Sequence, residues 1–510
     1  MSRRALSAAL IVVLVASLQL SAAVPAGSAD RLPQLRLISA ARNVTMQRWP
    51  GEPPALAVGT HLAAVGAPFE VRVKRTRDGL EATQVLPQRG GEVRPVRVLP
   101  DWAVTDLNEG LHAFFVVTAF DADGEQVMRR RAPLCFTGSY DQARVDDTGP
   151  QSPRYPAGCY TSHLARGAVW GLDRGWAVRA PQFVDAPNLP DGEYDVTVAI
   201  ALRYVRLFSV PARYASTQVH LTLETMEVPP CDPDYEPCEQ CGDGVPCEPC
   251  GPEEPCVYPP VLGGGSAGEE AQGVVALELG RAATAEVTAD AAGLPDLVAL
   301  RAHAIHVHVD EETGRDVITF GATVWNKGPG PLVVEGFRRP GRDLMDAYQY
   351  LYDGGRRVAK IDAGTLEFDR RDGHHHWHFT DFARYRLLDA DRTLARRSRK
   401  EAFCLAPTDA IDLTLPTANW QPGSTGLQTA CGGEESIWIR EILDVGWGDT
   451  YHQSLPGQSF DVTRLPNGTY FIEVATNPVN NLRERTRANN TTYRKIRLGG
   501  SRGERTLELR

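Results

Sequence analysis

The sequence has very little lysine. Lysine and arginine together number 54 of the 510 residues, yet only five of them are lysine: Lys74, Lys327, Lys360, Lys400 and Lys495. An amine can lose its proton and become a nucleophile, whereas a guanidinium stays protonated. Each lysine is therefore a candidate for chemistry that arginine cannot perform, although a solvated surface residue is the simpler interpretation of any one of them.

An excess of positive charge is also missing. The formal net charge is −10, which argues against a nucleic-acid partner held through its phosphates. A modest negative field favours a cationic ligand instead.

Long apolar runs occur only at the start of the chain. Residues 1–29 read as an export signal, with Arg3 and Arg4 as its basic start, an apolar run from Leu6 to Leu20, and a small-residue cleavage site ending at Ala29. No later stretch is apolar for long enough to cross a bilayer. The sequence therefore predicts a secreted protein, extracellular or periplasmic, without a membrane span.

Long helical periodicity is absent as well. Short runs rich in Val, Ile, Tyr and Phe alternate with Pro-Asp-Gly and Pro-Asn-Gly turns along most of the chain. This pattern predicts an all-β protein with β-sandwich-like domains. The length predicts at least two domains.

The cysteines are unevenly placed. Six of the ten lie between Cys231 and Cys256, among acidic residues, prolines and glycines. Their C-x2-C-x5-C-x2-C spacing resembles a zinc site, but the central loop is short for one, so a disulfide knot in a linker is the favoured interpretation. We place the linker at 229–290, between a β domain at 30–228 and a second at 291–500.

The two domains resemble each other in sequence. Five matches occur in the same order with similar spacing, which predicts a divergent tandem duplication; two unrelated sandwiches that share turn chemistry are the alternative. The matched pairs are LPQL at Leu32 with LPDL at Leu294, the FDADG and LDADR runs, Cys159 with Cys431, Gly175-Trp176 with Gly446-Trp447, and LPDGEYDVTVA with LPNGTYFIEVA.

Each domain also contains one pair of cysteines outside the linker. Because the linker cysteines can pair among themselves, we expect disulfides between Cys135 and Cys159 and between Cys404 and Cys431. A loop of this length stabilises the fold by roughly 3–4 kcal/mol in the chain-entropy model. The second disulfide would also fix the strand that carries Lys400.

Only the second domain contains a histidine cluster, in the run GHHHWHF. On a strand, His374, His376 and His378 would face the same side. Three neutral imidazoles favour copper, zinc, iron or nickel, and such a site can be catalytic if coordination positions stay open to water. A solvated strand that binds nothing, or binds metal incidentally, is the simpler alternative.

Several runs around these residues resemble those of a known protein family. The runs DGHHHWHFTDFARYRLLDADRTLARRSRKEAFCL, VWNKGPGPLVVEGFRR, GWGDTY and GTYFIEVATNP resemble the catalytic domain of the lysyl oxidases, over about Leu294 to Leu498. The resemblance implies that His374, His376 and His378 bind copper. It also implies that Lys400 and Tyr451 form the protein-derived cofactor lysine tyrosylquinone.

The resemblance further implies a function. A primary amine, such as a lysine side chain of an extracellular protein, would be oxidised by dioxygen to an aldehyde, with release of ammonia and hydrogen peroxide. A carboxylate would serve as base, and Asp381 and Asp449 are the candidates; Asp389 and Asp391 recur in the first domain and are expected to serve a turn. The first domain lacks the reactive residues, which predicts that it is non-catalytic. The alternatives are a non-catalytic secreted metal-binding or interaction protein and, less favoured, a hydrolytic zinc enzyme.

Overall fold

The computed structural model describes most of the chain outside its first residues and the linker. The described residues are 32–51, 53–88, 92–136, 142–156, 158–159, 162–181, 184–186, 189–226, 293–353, 356–370, 375–398, 402–422 and 431–510. The predicted export signal and the six cysteines of the predicted linker lie outside them. Almost all regular structure is strand, which confirms the all-β prediction.

The N-terminal half, residues 32–226, contains fifteen strands, one short α-helix and two 3-10 helices, Asp101–Ala103 and Ala212–Tyr214, among its described residues. They are β1 Gln34–Ser39, β2 Asn43–Arg48, β3 Ala55–Leu56, β4 Thr60–Val65, β5 Phe69–Arg75, β6 Leu80–Pro87, β7 Val93–Val98, β8 Leu111–Phe120, β9 Gln126–Leu134, β10 Gln142–Arg144, β11 Gly167–Leu172, β12 Trp176–Arg179, β13 Val184–Asp185, β14 Gly192–Ile200, α1 Leu202–Leu207 and β15 Ser216–Thr225.

The C-terminal half, residues 293–510, contains seventeen strands in its described part. They are β16 Leu297–Ala299, β17 His303–Asp310, β18 Arg315–Asn326, β19 Leu332–Arg338, β20 Leu344–Asp353, β21 Arg356–Asp369, β22 His376–Thr380, β23 Ala383–Leu388, β24 Leu394–Arg397, β25 Ala402–Phe403, β26 Asp409–Ala410, β27 Trp438–Leu443, β28 Trp447–Tyr451, β29 Ser459–Asp461, β30 Gly468–Thr476, β31 Thr491–Ser501 and β32 Glu504–Leu509.

The main sheets of the two halves have corresponding strand orders. The order β1-β4-β12-β10 matches β16-β18-β28-β26, and β9-β8-β14-β15 matches β24-β23-β30-β31. The third sheet runs β11-β5-β6-β7 in the first half and β27-β19-β20-β21-β22-β25 in the second. The second half therefore extends this sheet by two strands, and one of them, β22, carries the histidines.

Two local features also recur at equivalent places. Asp121 accepts the backbone N–H groups of Asp123 and Glu125 in one hairpin turn, and Asp389 accepts those of Asp391 and Thr393 in the other. A carboxylate that caps its own turn in this way stabilises a local backbone conformation. Asp389 and Asp391 therefore belong to a turn, as expected.

A tyrosine at the start of a long strand is held in the same way in both halves. The hydroxyl of Tyr194 donates to the carbonyl oxygen of Pro190 at 2.7 Å, and that of Tyr470 donates to Pro466 at 2.8 Å. Each side chain thus bonds back to the turn four residues earlier, in the LPDGEY and LPNGTY runs.

Each half has its own hydrophobic core between its sheets. The Cys135–Cys159 and Cys404–Cys431 disulfides are formed, with Cα atoms 5.5 and 5.7 Å apart. β32 pairs with β31, so the last sheet of the C-terminal half continues to Leu509. No helix in the described ranges is long and apolar enough to span a bilayer.

Candidate functional site

Two of the predicted metal ligands meet on β22. His376 and His378 face the same side of the strand, with ring centroids 4.7 Å apart and their Nε2 atoms 3.0 Å apart. His376 is half-buried, and His378 is only 2% exposed. Between them, Trp377 is fully buried on the opposite face, in the hydrophobic core. The alternation that the sequence predicts is therefore present.

A buried carboxylate lies behind the histidine pair. Asp369 ends β21 opposite His376 in the ladder, and its Oδ2 atom is 3.3 Å from Nδ1 of His378. A carboxylate beside one ring nitrogen favours the proton on that nitrogen, which leaves the lone pair on the other. The lone pair of His378 is therefore on Nε2, the nitrogen that faces Nε2 of His376.

This arrangement fits a transition-metal ion. Two imidazole nitrogens bound at about 2.0–2.1 Å to one ion lie roughly 2.9–3.4 Å apart, depending on the angle at the metal. The observed 3.0 Å falls within that range. Within the described residues, His, Cys, Asp and Glu form no group of three or more that could hold a metal. The third predicted ligand, His374, lies outside the described residues, as does Lys400.

The second disulfide anchors β22 from one side. The backbone N–H of Trp377 donates to the carbonyl oxygen of Cys431 at 2.9 Å, and its indole N–H donates to that of Gly433 at 2.9 Å. On the same flank, β25 pairs with β22, with Phe403 opposite Phe379 and Ala402 opposite Thr380. The segment that follows Lys400 and the segment that contains Cys431 are thus both tied to the histidine strand.

Tyr451, the last residue of β28, lies in the core. Its side chain is 9% exposed, its hydroxyl donates to the carbonyl oxygen of Cys404 at 2.8 Å, and its ring meets Phe403 edge to face at 4.8 Å. Phe403 pairs directly with Phe379, so both project from the same face of the sheet. Successive residues of a strand face opposite sides, so the side chain of His378 lies on the other face of this sheet from that of Phe379. The rings of His378 and Tyr451 therefore lie on opposite faces of the sheet that contains β22.

The structure therefore does not bring the histidine rings and the Tyr451 phenol together directly. The connection between them runs through the sheet, from β22 to β25 and on to the Cys404 carbonyl. This carbonyl belongs to a peptide that is held at both ends, because the following N–H, that of Leu405, donates to Oε2 of Glu441 at 3.0 Å.

Acidic side chains surround Tyr451 in the core. Asp449 is 2% exposed, and Glu441 is fully buried. Burial, the charge of Asp449 and the charge of Glu441, in that order, raise the pKa of the Tyr451 phenol well above its ordinary value of 10.0. Burial likewise raises the pKa of Glu441 well above 4.5. The phenol is therefore neutral at physiological pH in this position.

The two candidate bases occupy different surroundings. Asp449 is two residues before Tyr451 on β28, so the two side chains share a face. Asp381 follows β22 with φ of 59°, a left-handed conformation that bends the chain toward β23. His375, immediately before β22, also has a positive φ, of 46°. Such backbone strain at both ends of a short strand is common at functional sites.

Sequence reasoning missed Glu441, Asp369 and the buried Tyr385 near Asp449. Glu441 stands in phase with Ile439 and Leu443 in an alternating strand, so period-2 analysis could have placed it in the core. Asp369 offered no such signal. It alternates with the apolar Phe368 on β21, so the pattern predicts that its side chain faces solvent.

The C-terminal half of the chain is similar to known proteins. Residues 341–505 match the family model described as lysyl oxidase. Lysyl oxidase homolog 4 of Mus musculus is 26% identical over 170 residues, 33% of this chain and 20% of that protein. Lysyl oxidase homolog 2 of Gallus gallus is 26% identical over 174 residues, again 33% of this chain and 20% of that protein. Lysyl oxidase homolog 2A of Danio rerio is 30% identical over 165 residues, which are 32% of this chain and 20% of that protein.

The matched range begins within the C-terminal half and includes the histidine strand, Lys400 and Tyr451. The chain spans about a fifth of the length of these relatives. The resemblance to the lysyl oxidase family is therefore confirmed for the C-terminal region of the chain.

Proposed function

We propose that the chain is an exported copper amine oxidase, similar to the lysyl oxidases, that oxidises primary amines. The observation that carries this proposal is the histidine pair on β22, with its two Nε2 atoms 3.0 Å apart and Asp369 behind His378. His374, His376 and His378 would hold the copper. Lys400 and Tyr451 would supply the lysine tyrosylquinone.

The overall reaction converts the amine, water and dioxygen to an aldehyde, ammonia and hydrogen peroxide. The carbon that bears the amine loses two electrons and becomes an aldehyde, water supplies the aldehyde oxygen, and ammonia leaves. Dioxygen accepts the two electrons and two protons and becomes hydrogen peroxide. The net charge of −10 favours a cationic substrate such as a lysine side chain on an extracellular protein.

When bound, copper and the quinone supply the redox chemistry; the chain's own residues position and tune them. Asp369 keeps the proton of His378 on Nδ1, so that Nε2 stays available as a ligand. The Cys404 carbonyl and the edge of Phe403 hold the Tyr451 ring, and burial together with the surrounding carboxyl groups keeps its phenol protonated. Asp449, which shares a strand face with Tyr451, is better placed than Asp381 to move a proton near it.

We further propose that the N-terminal half, predicted at 30–228, is a divergent copy without the reactive residues. The corresponding strand orders support a common origin for the two halves. In the described part of the first half, the matching sheet has no strand beyond β7, so it has no equivalent of the histidine strand.

The experiment that tests the proposal is mass analysis of the secreted protein after expression with copper in air. We expect a peptide that joins Lys400 to Tyr451, a visible absorption band, and hydrogen peroxide release with a primary amine. Tyr451→Phe and Lys400→Arg should each abolish the joined peptide, whereas Tyr470→Phe, at a tyrosine that bonds to the turn before β30, should not.

Metal binding is measured separately by chelator competition. His376→Ala and His378→Ala should each lower copper affinity at least 10-fold, and His375→Asn, which preserves the left-handed backbone with a suitable residue, should leave it unchanged. Copper bound without any joined peptide would reject the oxidase and favour the metal-binding alternative.

A further inference from the structure

The two halves are packed against each other through a segment that also pairs with the Tyr451 strand. This segment, residues 408–421, is called the bridging segment below. On one side, the N–H of Ile411 donates to the carbonyl of Gly446 at 2.9 Å, just before β28. Thr408 accepts the N–H of Thr450 at 2.9 Å through its hydroxyl. The bridging segment thus borders the strand that ends in Tyr451.

On its other side, the bridging segment bonds to the N-terminal half. The N–H of Arg166 donates to the carbonyl of Ile411 at 2.6 Å, and the N–H of Leu413 donates to the carbonyl of Gly167 at 3.0 Å. A Cβ atom at Gly167 would lie 2.3 Å from Oδ1 of Asp412, so only glycine fits this close approach without displacement. The backbone pairing therefore depends on a residue without a side chain.

Aromatic and amide contacts extend this interface. The rings of Tyr155 and Trp420 stack with centroids 5.4 Å apart. The side-chain amide of Gln421 donates to the carbonyl oxygens of Pro153 at 2.7 Å and Tyr155 at 3.1 Å. Tyr155 is only 3% exposed, and Trp420 and Gln421 are half-buried, so this contact is largely removed from solvent, as at the core of a protein interface.

A second contact reaches β28 from the first half. The His163 ring meets the His303 ring edge to face at 4.9 Å. His303 bonds to the Thr323 hydroxyl at 3.2 Å, and Thr323 bonds to Thr450 at 2.9 Å. Residues of the first half are thus connected to both neighbours of the Tyr451 strand, the bridging segment and β18.

We propose that the N-terminal half is an intramolecular partner of the C-terminal half, and that its docking on the bridging segment positions the strand that carries Tyr451. The role of Tyr451 rests on the proposed function; the docking itself does not. The N-terminal half contributes no reactive residue here: it acts as a positioning domain that would stay attached without the linker.

The linker conceals the strength of this interface in the intact chain, because tethering raises the effective concentration of one half near the other. The experiment therefore uses the full chain with a protease site introduced between residues 257 and 280, cleaved after folding. Size-exclusion chromatography with light scattering gives the mass of the product. We expect cleaved wild type to elute as one particle with the mass of the intact chain.

Two variants weaken the interface to different degrees. Gly167→Val places a branched side chain against Asp412, and we expect the cleaved halves to separate. Gln421→Ala removes two partly buried hydrogen bonds and should weaken association about 5- to 30-fold. Arg129→Val, the same new residue on an exposed strand of the N-terminal half, is the matched control and should behave as wild type.

Hydrogen exchange and peptide mapping then report on the Tyr451 strand. In uncleaved Gly167→Val, exchange of the β28 amides should accelerate at least 10-fold, and formation of the peptide that joins Lys400 to Tyr451 should slow by a similar factor. Separation of cleaved wild type, or unchanged exchange and joining in a variant that separates, would overturn the proposal. If wild type never forms the joined peptide, the proposed function fails, and cleavage and exchange still decide the docking.

Discussion

Strands β12 and β28 occupy the same place in their sheets, but their buried side chains differ in kind. Both follow a glycine with positive φ, Gly175 at 77° and Gly446 at 88°, and both begin with tryptophan. Two residues further, the first half has Val178, fully buried, and the second has Asp449. At the next inward position, Ala180 corresponds to Tyr451.

The same difference recurs on the neighbouring strands. Trp170 of β11 stands where Glu441 stands in β27, and Val117 of β8 where Tyr385 stands in β23. All four side chains are 2% exposed or less. The first half therefore has no carboxyl or hydroxyl group at positions where the second half has several.

This comparison bears on function because buried acids oppose folding. A carboxyl group in an apolar core loses its hydration, which costs free energy that hydrogen bonds or a nearby opposite charge must offset. The core of the second half contains Glu441 and Asp449, which lower its stability and give Tyr451 a polar environment. The first half, which has no tyrosine there, keeps the ordinary apolar core.

The largest predicted effect comes from exchanging these core residues. Val178→Asp should destabilise the N-terminal half by about 3–5 kcal/mol, because it introduces an uncompensated buried carboxylate. The reciprocal change, Asp449→Val, should cost the C-terminal half less stability than that, because it places an apolar residue in an apolar core, and should prevent the peptide that joins Lys400 to Tyr451. Denaturant unfolding and peptide mapping measure the two results.

Asp449→Asn is the control that keeps the polar group without its charge. Comparable destabilisation by Val178→Asp and Asp449→Val would show that the two cores are equally dependent on their native residues. In that case the contrast between an apolar and an acidic core would carry no functional meaning.

The sequence was sufficient for the parts of this comparison that depend on local pattern. Alternating apolar runs and Pro-Asn-Gly turns predicted the all-β fold. The matching FDADG and LDADR runs indicated two equivalent turns, in which Asp121 and Asp389 accept backbone N–H groups. The alternation of histidines correctly placed His376 and His378 on one side of a strand.

Features that depend on distant parts of the chain could not be predicted in the same way. The opposite facing of His378 and Tyr451 follows from the pairing of β25 with β22 and from the bond of Tyr451 to the Cys404 carbonyl, and no local pattern encodes that. For Glu441 the two local signals conflict, because its phase with Ile439 and Leu443 indicates the core, whereas a glutamate in a strand ordinarily indicates a solvated position. The docking of Gly167 on Asp412 joins residues more than 240 positions apart.

The disulfides give the second largest effect and separate stability from function. The bonded cysteines are 24 and 27 residues apart in sequence, so replacing either pair by alanine should lower stability by about 3–4 kcal/mol. Only loss of Cys404–Cys431 should also weaken copper binding, by about 10- to 100-fold. The reason is that the Cys431 carbonyl holds Trp377, between two predicted ligands.

Unfolding in urea and chelator competition on both double variants measure these two properties. Equal loss of copper affinity in the Cys135→Ala/Cys159→Ala variant would mean that the effect is general loosening of the chain. It would remove the special connection between the second disulfide and the histidine strand.

The smallest effect concerns one aspartate that both halves retain. Asp173 precedes the Trp176 turn and is bound by the Arg154 guanidinium at 2.5 Å and the Arg154 N–H at 2.8 Å. Its counterpart Asp444 accepts a hydrogen bond from Asn419 at 3.1 Å, and burial raises the pKa of Asp444 from 3.8 to about 6. The aspartate is therefore paired with a guanidinium in the first half, whereas burial disfavours its anion in the second.

The Asp→Asn change should consequently have opposite signs in the two halves. The stability contribution of the protonated Asp444 is complete below pH 3.8 and is lost as pH rises through about 6. Asp444→Asn should thus be more stable than wild type by about 1–3 kcal/mol at pH 8, with no difference near pH 3.5. Asp173→Asn should instead be less stable by about 1–3 kcal/mol at pH 8, because it weakens a charge-assisted bond. Urea unfolding from pH 3.5 to 8 measures both curves, and a destabilising Asp444→Asn at pH 8 would refute the assignment of a strained anion to the C-terminal half.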